Sequence, residues 1–352
     1  MREIGDRALD HLRAVAQEPD LSGTRYELGE ELARGGMSVV YSAQDRELGR
    51  AVALKVLAAE MADPEMVARL RREARIIAHL EHPGIVPVHD VGTLPDGRVF
   101  YAMKLVTGKR LDAQVLEAPT LGERLRLFLR ICEPVAFAHA HGVIHRDLKP
   151  QNVMVGPFGE VLVMDWGVAK HREEPLASAS AAAPAGPGSD EDTAHGTVLG
   201  TPAYMAPEQA RGELERVDAR ADVYSLGAIL HFLLTGHAPG RRKAGPDEPT
   251  RTWAGPASAP ALEPPRRLAP GLPRPLEAIA LKALSPDPTG RYASVEALAA
   301  DVGRFLEGRR VEAFPENAWQ KARRFAGRHR TAIALVLAYL VMRIVLLLVA
   351  RV

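Results

Sequence analysis

The tightest constraint on this chain is one octapeptide, His145-Arg146-Asp147-Leu148-Lys149-Pro150-Gln151-Asn152, which sets a carboxylate, an ammonium and an amide in a single short loop. Pro150 stiffens the turn between them. Asp147 can accept or orient the proton of an attacking hydroxyl, Lys149 can sit beside a moving phosphate, and Asn152 can offer its side-chain oxygen to magnesium. Those residue types suit phosphoryl transfer from ATP, a reaction that asks for positioning and charge neutralisation more than for covalent participation. A charged surface turn could carry the same letters, so the remainder of the chain has to supply partners in the right order.

It does. Leu32-Ala33-Arg34-Gly35-Gly36-Met37-Ser38-Val39-Val40 reads as a tight hairpin with bare backbone at Gly35 and Gly36. Val52-Ala53-Leu54-Lys55-Val56-Leu57 alternates as a strand, with Lys55 on the same face as Ala53. Between Glu65 and Leu80 the residues Met66, Leu70, Ala74 and Ile77 form one helical face, and Glu73 lies among them. Tyr101-Ala102-Met103-Lys104-Leu105-Val106-Thr107-Gly108 follows as a strand and a connector. After the octapeptide, Val161-Leu162-Val163-Met164 reads as a buried strand that leads into Asp165-Trp166-Gly167. Gly200-Thr201-Pro202-Ala203-Tyr204-Met205-Ala206-Pro207-Glu208 comes next, and Asp222-Val223-Tyr224-Ser225-Leu226-Gly227 opens an apolar helix.

In this order the segments resemble the eukaryotic-like serine/threonine protein kinases of bacteria, from about Tyr26 to about Leu306. The resemblance implies an α+β, bilobal protein-kinase-like fold, a small β-rich lobe over a larger helical one, with ATP and Mg2+ between them. It implies that Asp147 and Lys149 are catalytic and that Asn152 and Asp165 hold the metal. Leu32, Ala33, Gly35, Gly36, Ser38 and Val40 would form the lid over the nucleotide, Ala53 and Met154 would enclose it, and Lys55 paired to Glu73 would meet its phosphates. Met103 takes the gatekeeper position, and backbone groups of Lys104 and Val106 would meet the adenine. Glu208 with Arg291 would be a buried ion pair, and Asp222 would bond to the backbone of the catalytic loop. Lys149, two residues after the base, is the serine/threonine pattern, so protein hydroxyl substrates of that class are expected.

Two departures stand out. The family pattern has glycine where this chain has Ala33 and Ser38, and Trp166 replaces the usual phenylalanine while keeping a large aromatic for packing. The lid departure keeps an alternative open, a membrane-anchored, nucleotide-binding pseudokinase scaffold.

The 352 residues, 47% hydrophobic and 25% charged, suffice for two lobes and one short extra segment. A formal net charge of +1 gives no global field for nucleic acid, and none is expected as a partner. The single cysteine, Cys132, sits in an apolar run with Leu129, Ile131 and Val135 and reads as a core residue of a reduced compartment. His139 and His141 lack the companions of a zinc site.

The expected organisation is an N-terminal extension at 1–25, a kinase domain at 26–308 divided at 105/106, a basic segment at 309–330 and a transmembrane helix at 331–350. No secretory signal precedes the domain, and Arg7 to Gln17 reads as a short amphipathic helix. Ala332 to Ala350 is almost wholly apolar, close to the roughly 20 residues a bilayer span needs. Arg343 interrupts it at a cost of about 2.5–3.5 kcal/mol on insertion scales, which the surrounding Leu, Ile and Val, at about −0.3 to −0.6 each, can offset. Lys321, Arg323, Arg324, Arg328 and Arg330 precede it, which places the kinase domain in the cytoplasm, single-pass at an inner membrane. An amphipathic or partner-binding helix is the other reading. Only Arg351 and Val352 follow, so no outer sensor domain is expected.

Glu173 to Thr193, rich in Ala, Ser, Pro and Gly, is low-complexity sequence within the activation segment. Arg146 could receive a phosphate on Thr193 or Thr197, and Thr201 reads as substrate-positioning. A homodimer that phosphorylates its own segment in trans is the partner this suggests. His237 to Pro275 is dense in Pro, Gly and Arg where the family places a docking helix.

Overall fold

The computed structural model describes residues 18–58, 63–114, 120–166, 170–171, 202–240, 263–315 and 330–349, the last with side chains over 333–343. The expected helix at Arg7 to Gln17, the stretch Glu173 to Thr193, the candidates Thr193, Thr197 and Thr201, Gly167 and the basic cluster from Lys321 to Arg328 lie outside the described residues, as does 241–262 of the Pro-rich stretch.

Strands β1 (Tyr26–Arg34), β2 (Ser38–Asp45), β3 (Arg50–Leu57), β4 (Val88–Thr93) and β5 (Val99–Lys104) make one antiparallel sheet in the order β1-β2-β3-β5-β4. Alternate residues of a strand face opposite sides, and here each side has its own core. Val39, Tyr41, Val52, Leu54, Val56, Phe100 and Ala102 fill a cluster on one face, while Leu57, Val99 and Tyr101 join the main core on the other. This explains why β5 reads as continuous apolar sequence: both of its faces are covered.

Helix α1 (Pro64–Ala78) begins at Asp63, whose side chain accepts from Met66 N–H, with Pro64 in the first turn. Its inward face is Leu70, Glu73, Ala74 and Ile77. The carboxylate is thus placed on the apolar stripe and requires a partner.

The large lobe is built on α2 (Leu121–Ala140), opened by a reciprocal Thr120/Glu123 capping box, and on α3 (Ala219–Thr235), which ends at Gly236 with φ 76°. Most side chains of α3 are buried, as expected of a helix that is largely apolar all round. Gly227 lets it close on α4 (Arg274–Ala283), since a Cβ there would come within 2.7 Å of Ala283 Cβ. Cys132 faces the core, 1% exposed. Helix α5 (Val295–Leu306) packs on α2. On α5, Asp301 accepts from Tyr292 Oη at 2.8 Å and, from the chain beyond the helix, from the backbone N–H groups of Glu312 and Ala313 at 2.7 and 3.0 Å. Val311 is buried, so the packed lobe continues past residue 308.

Between the lobes, β6 (Lys109–Arg110), β8 (Val153–Val155) and β9 (Val161–Val163) form a small sheet, and β7 (Val143–Ile144) pairs with β10 (Lys170–His171). The octapeptide lies between β7 and β8.

The C-terminal transmembrane helix expected at 331–350 is not supported by the described residues. Arg330–Val349 forms a 20-residue helix, α6, but among the described residues no helix is long and apolar enough to cross a membrane. The span expected at 331–350 extends beyond the side chains described at 333–343, which at 1.5 Å per residue cover about half of a bilayer core.

Candidate active site

The site is assembled from elements far apart in sequence. On β3, Lys55 Nζ donates to Glu73 Oε1 of α1 at 2.7 Å and to Asp165 Oδ1 at 3.1 Å. Burial works against the ammonium, yet the charges of Glu73 and Asp165 outweigh it and raise the lysine pKa. Asp165 shows the converse: burial pushes its carboxyl up, and Lys55 more than compensates, holding it below the usual range. It stands at φ 61°, a left-handed conformation unusual for a residue other than glycine. The motif's glycine, Gly167, lies outside the described residues.

Trp166, 1% exposed, donates from Nε1 to Val163 O at 3.2 Å and lies 4.5 Å, centroid to centroid, from His145. The His145 ring in turn bridges the two motifs. Asp147 N–H donates to its Nδ1 at 3.2 Å, so Nε2 carries the hydrogen directed at Met164 O, 3.0 Å away. Met164 N–H donates to Asn152 O at 2.8 Å, a second tie between the loops.

Within the octapeptide, Lys149 Nζ donates to Asp147 Oδ2 at 2.7 Å. Asn152 Nδ2 donates to Asp147 O at 2.8 Å and Oδ2 at 3.1 Å. The amide nitrogen being committed, Asn152 Oδ1 is the atom left for a cation. Arg146 takes φ 68° immediately before Asp147. Asp222 holds that backbone, accepting from His145 N–H and Arg146 N–H at 2.8 Å each and meeting His139 Nε2 at 2.7 Å. Full burial pushes the Asp222 carboxyl up, but His139 and these backbone donors bring it below its ordinary value.

The expected ion pair Glu208 to Arg291 also forms, as a buried fork of 2.7 and 2.8 Å. Asp222, Glu208 and Arg291 therefore support the loop and do not line the opening.

The glycine-bearing hairpin closes with Gly35 N–H on Ser38 O at 2.9 Å. A Cβ at Gly36 would meet nothing within 4 Å, so the bare turn faces open space. Leu32 and Ala33 are exposed, Ser38 and Val40 partly so. Ala53 is buried on β3 and pairs in register with Met103, which is partly buried on β5. Lys104 N–H is taken by Pro87 O at 3.1 Å, so its carbonyl is what it could offer a base; Val106 follows in the connector. Met154, partly buried on β8, pairs with Leu162.

Sequence reasoning missed other ties that cross between motifs. His139 to Asp222 and His145 to Trp166 join residues with no shared periodicity. Tyr101, whose hydroxyl donates to Glu73 Oε1 at 2.8 Å, is the cross-strand neighbour of Lys55 in register, and directly opposed residues share a face.

Residues 26–301 match the family described as the protein kinase domain. The serine/threonine-protein kinase PknB of Mycolicibacterium smegmatis is 40% identical over 301 residues, covering 84% of this chain and 45% of that protein. PknD of Protochlamydia amoebophila, also a serine/threonine-protein kinase, is 35% identical over 307 residues, covering 81% of this chain and 30% of that protein. The chain thus spans less than half the length of these curated relatives. The crystal structure of the Mycobacterium tuberculosis PknI kinase domain superposes with a TM-score of 0.55 at 27% identity, covering 80% of this chain and 96% of the other. With a family match over most of its length and relatives at this identity, the chain belongs to the protein kinases, among the eukaryotic-like serine/threonine kinases of bacteria.

Proposed function

We propose that this chain transfers the γ-phosphoryl group of ATP to serine and threonine hydroxyls of protein substrates. The observation that carries the reading is the single ammonium of Lys55 shared by Glu73 and Asp165, which couples α1, the small lobe and the Asp165 motif at 2.7 and 3.1 Å. A scaffold that only bound protein would not need that charge relay.

The donor set fits magnesium. Asp165 is a half-exposed carboxylate kept ionised by Lys55, and Asn152 has its amide oxygen to spare. When bound, the metal would neutralise charge on the phosphates. Lys55 would add a second cation there, and Lys149 a third on the side of the acceptor. Asp147 is directed by two donors on Oδ2, which orients its other oxygen to accept an incoming hydroxyl proton. Ala53, Met103 and Met154 supply the apolar walls suited to a flat base, with Lys104 O and Val106 N–H at its polar edge. The open turn of Gly36 supports a backbone lid despite Ala33 and Ser38.

The test is transfer of labelled phosphate from Mg-ATP to the chain itself or to a generic acceptor. Wild type is expected to transfer, and Asp147→Asn to abolish it. Binding of ATP without transfer under varied metals would favour the pseudokinase scaffold instead.

Membrane attachment through the C-terminal helix belongs to the same proposal. Its support is the sequence of α6 and the exposure of Leu335, Val336, Leu337, Leu340, Val341 and Met342, an apolar surface without packing partners among the described residues. Sedimentation with membranes that resists high salt and carbonate is the expected result; release by salt alone would refute it. Autophosphorylation in trans is suggested by Arg146, whose Nε is buried without a hydrogen-bond partner among the described residues. Phosphosite mapping after incubation with ATP tests that part.

A further inference from the structure

Glu73 Oε1 receives two donors, and only one of them is the lysine. Tyr101, 2% exposed on β5, places its hydroxyl 2.8 Å from that oxygen, while Lys55 Nζ lies 2.7 Å from the same atom and 5.9 Å from the tyrosine ring centroid. An aliphatic residue would fill this part of the core equally well, and a buried phenol without a partner would be costly. Its hydroxyl is therefore present for the carboxylate.

We propose that Tyr101 is a positioning residue that holds Glu73, and with it α1, when Lys55 turns toward the nucleotide. The proposal rests on the kinase reading above. Glu73 is buried, and Lys55 already divides its charge between Glu73 and Asp165. Any anionic phosphate drawn to Lys55 takes a further share, which weakens the only cation pairing Glu73 among the described residues. A carboxylate losing its cation in a buried place becomes unstable there. The Tyr101 hydroxyl is a donor that phosphate does not compete for, since it lies behind Lys55 in the core. Burial, reinforced by the negative charge of Glu73, pushes the phenol pKa well above 10, so the hydroxyl keeps its proton throughout the working range. The hydroxyl consequently lowers the cost of nucleotide binding by retaining α1 in place.

The experiment is a set of four full-length proteins: wild type, Tyr101→Phe, Glu73→Met and the double variant. Affinity for a non-hydrolysable ATP analogue with Mg2+ is measured by titration calorimetry, and kcat and KM for ATP and for a protein acceptor by phosphate transfer. Tyr101→Phe should weaken the analogue and lower kcat/KM for ATP about tenfold, equivalent to about 1.4 kcal/mol, with the acceptor KM unchanged. In the Glu73→Met background, which has no side-chain acceptor of comparable strength, the same change should cost less than about twofold, because the group it serves has gone. Tyr101→Leu, apolar and without the hydroxyl, gives the same comparison should Tyr101→Phe melt early. Analogue affinity within twofold of wild type in Tyr101→Phe overturns the proposal, as does a tenfold loss that persists beside Glu73→Met. A wild type that binds the analogue but transfers nothing refutes the kinase reading alone, and the titration still decides on the hydroxyl. Absence of nucleotide binding in the wild type overturns both.

Discussion

Replacing Asp222 by asparagine should disable transfer while sparing nucleotide binding. The wild-type carboxylate is wholly buried and takes three donors, the His145 and Arg146 N–H groups at 2.8 Å and His139 Nε2 at 2.7 Å. Asparagine has one oxygen for these, so its amide must face at least one N–H, donor against donor. Losing one charge-assisted bond costs about 1.5–3 kcal/mol, and leaving its buried donor unpaired adds about 1–3. Arg146 sits at φ 68°, a conformation that stores about 1–3 kcal/mol and persists only while its surroundings enforce it. The freed loop should relax to negative φ at Arg146, which swings the next residue, Asp147, off the acceptor. If about 3–4 kcal/mol is withdrawn from the transition state, kcat falls about 10²–10³-fold. Lys55, Glu73 and Asp165 make no contact with Asp222, so KM for ATP should change less than about threefold, on the rule that separated groups act independently. Steady-state transfer with ATP and acceptor varied in turn reads both. A folded Asp222→Asn with kcat within threefold of wild type would refute the argument that Asp222 enforces the loop.

Other expectations follow from neighbouring contacts. Arg291→Met should destabilise the large lobe by about 3–5 kcal/mol in urea unfolding, because Glu208 is left buried and alone, whereas Arg291→Met with Glu208→Leu should recover much of that loss. Trp166→Phe removes only the Nε1 bond to Val163 O and some packing volume; stability should drop by about 0.5–1.5 kcal/mol for the bond plus the void, with transfer kept within about threefold, measured by melting and kcat. Acid should act through the lowered carboxyls of Asp165, Asp222 and Asp301. Their folded values lie below the unfolded 3.8, so their contribution is complete above that pH and fades as pH falls through the lower folded values. The stability gap between wild type and Asp222→Asn should accordingly narrow below about pH 4, the unfolded carboxyl range; a gap that widened on acidification would contradict the assigned sign.

What was legible in the sequence was what is written locally. The octapeptide carries its own spacing, and the stripe Leu70, Glu73, Ala74, Ile77 announces a carboxylate turned toward the core. Lys55 could be matched to Glu73 only through the order of motifs that resembles the kinase family, since a helix glutamate by itself reads as a solvated charge. The unread part is tertiary. Asp222 and His139 stand 83 positions apart and meet only after α2 and α3 pack. Asp301 looks like an ordinary helix charge beside Arg304, and nothing in the sequence of α5 says that the chain will return to offer it the N–H groups of Glu312 and Ala313. Val311 accordingly lies in the core, past the boundary expected at 308. At β5 the alternation was hidden because both faces are buried, so Tyr101 could not be assigned a side until its register with Lys55 was known.

The same residue type serves two ends here, and solvent access with donor count separates them. Asp222 and Asp301 are each fully buried and surrounded by three or more donors, and Glu208 is closed by the Arg291 fork. Such groups are closed to solvent and held through both oxygens, so their charge fixes backbone or closes an ion pair inside the lobe. Asp147 and Asp165 retain 30% and 49% of their side-chain exposure, and among the described residues each is held through one oxygen. They are anchored on one side and open on the other, as a base or a metal ligand must be. The positive φ at Arg146 and Asp165 belongs to this division: each strained residue lies next to or at an open carboxylate, and each is braced by a closed or paired charge, Asp222 for the first and Lys55 for the second. Releasing a brace should thus alter the open carboxylate's direction before it alters the fold.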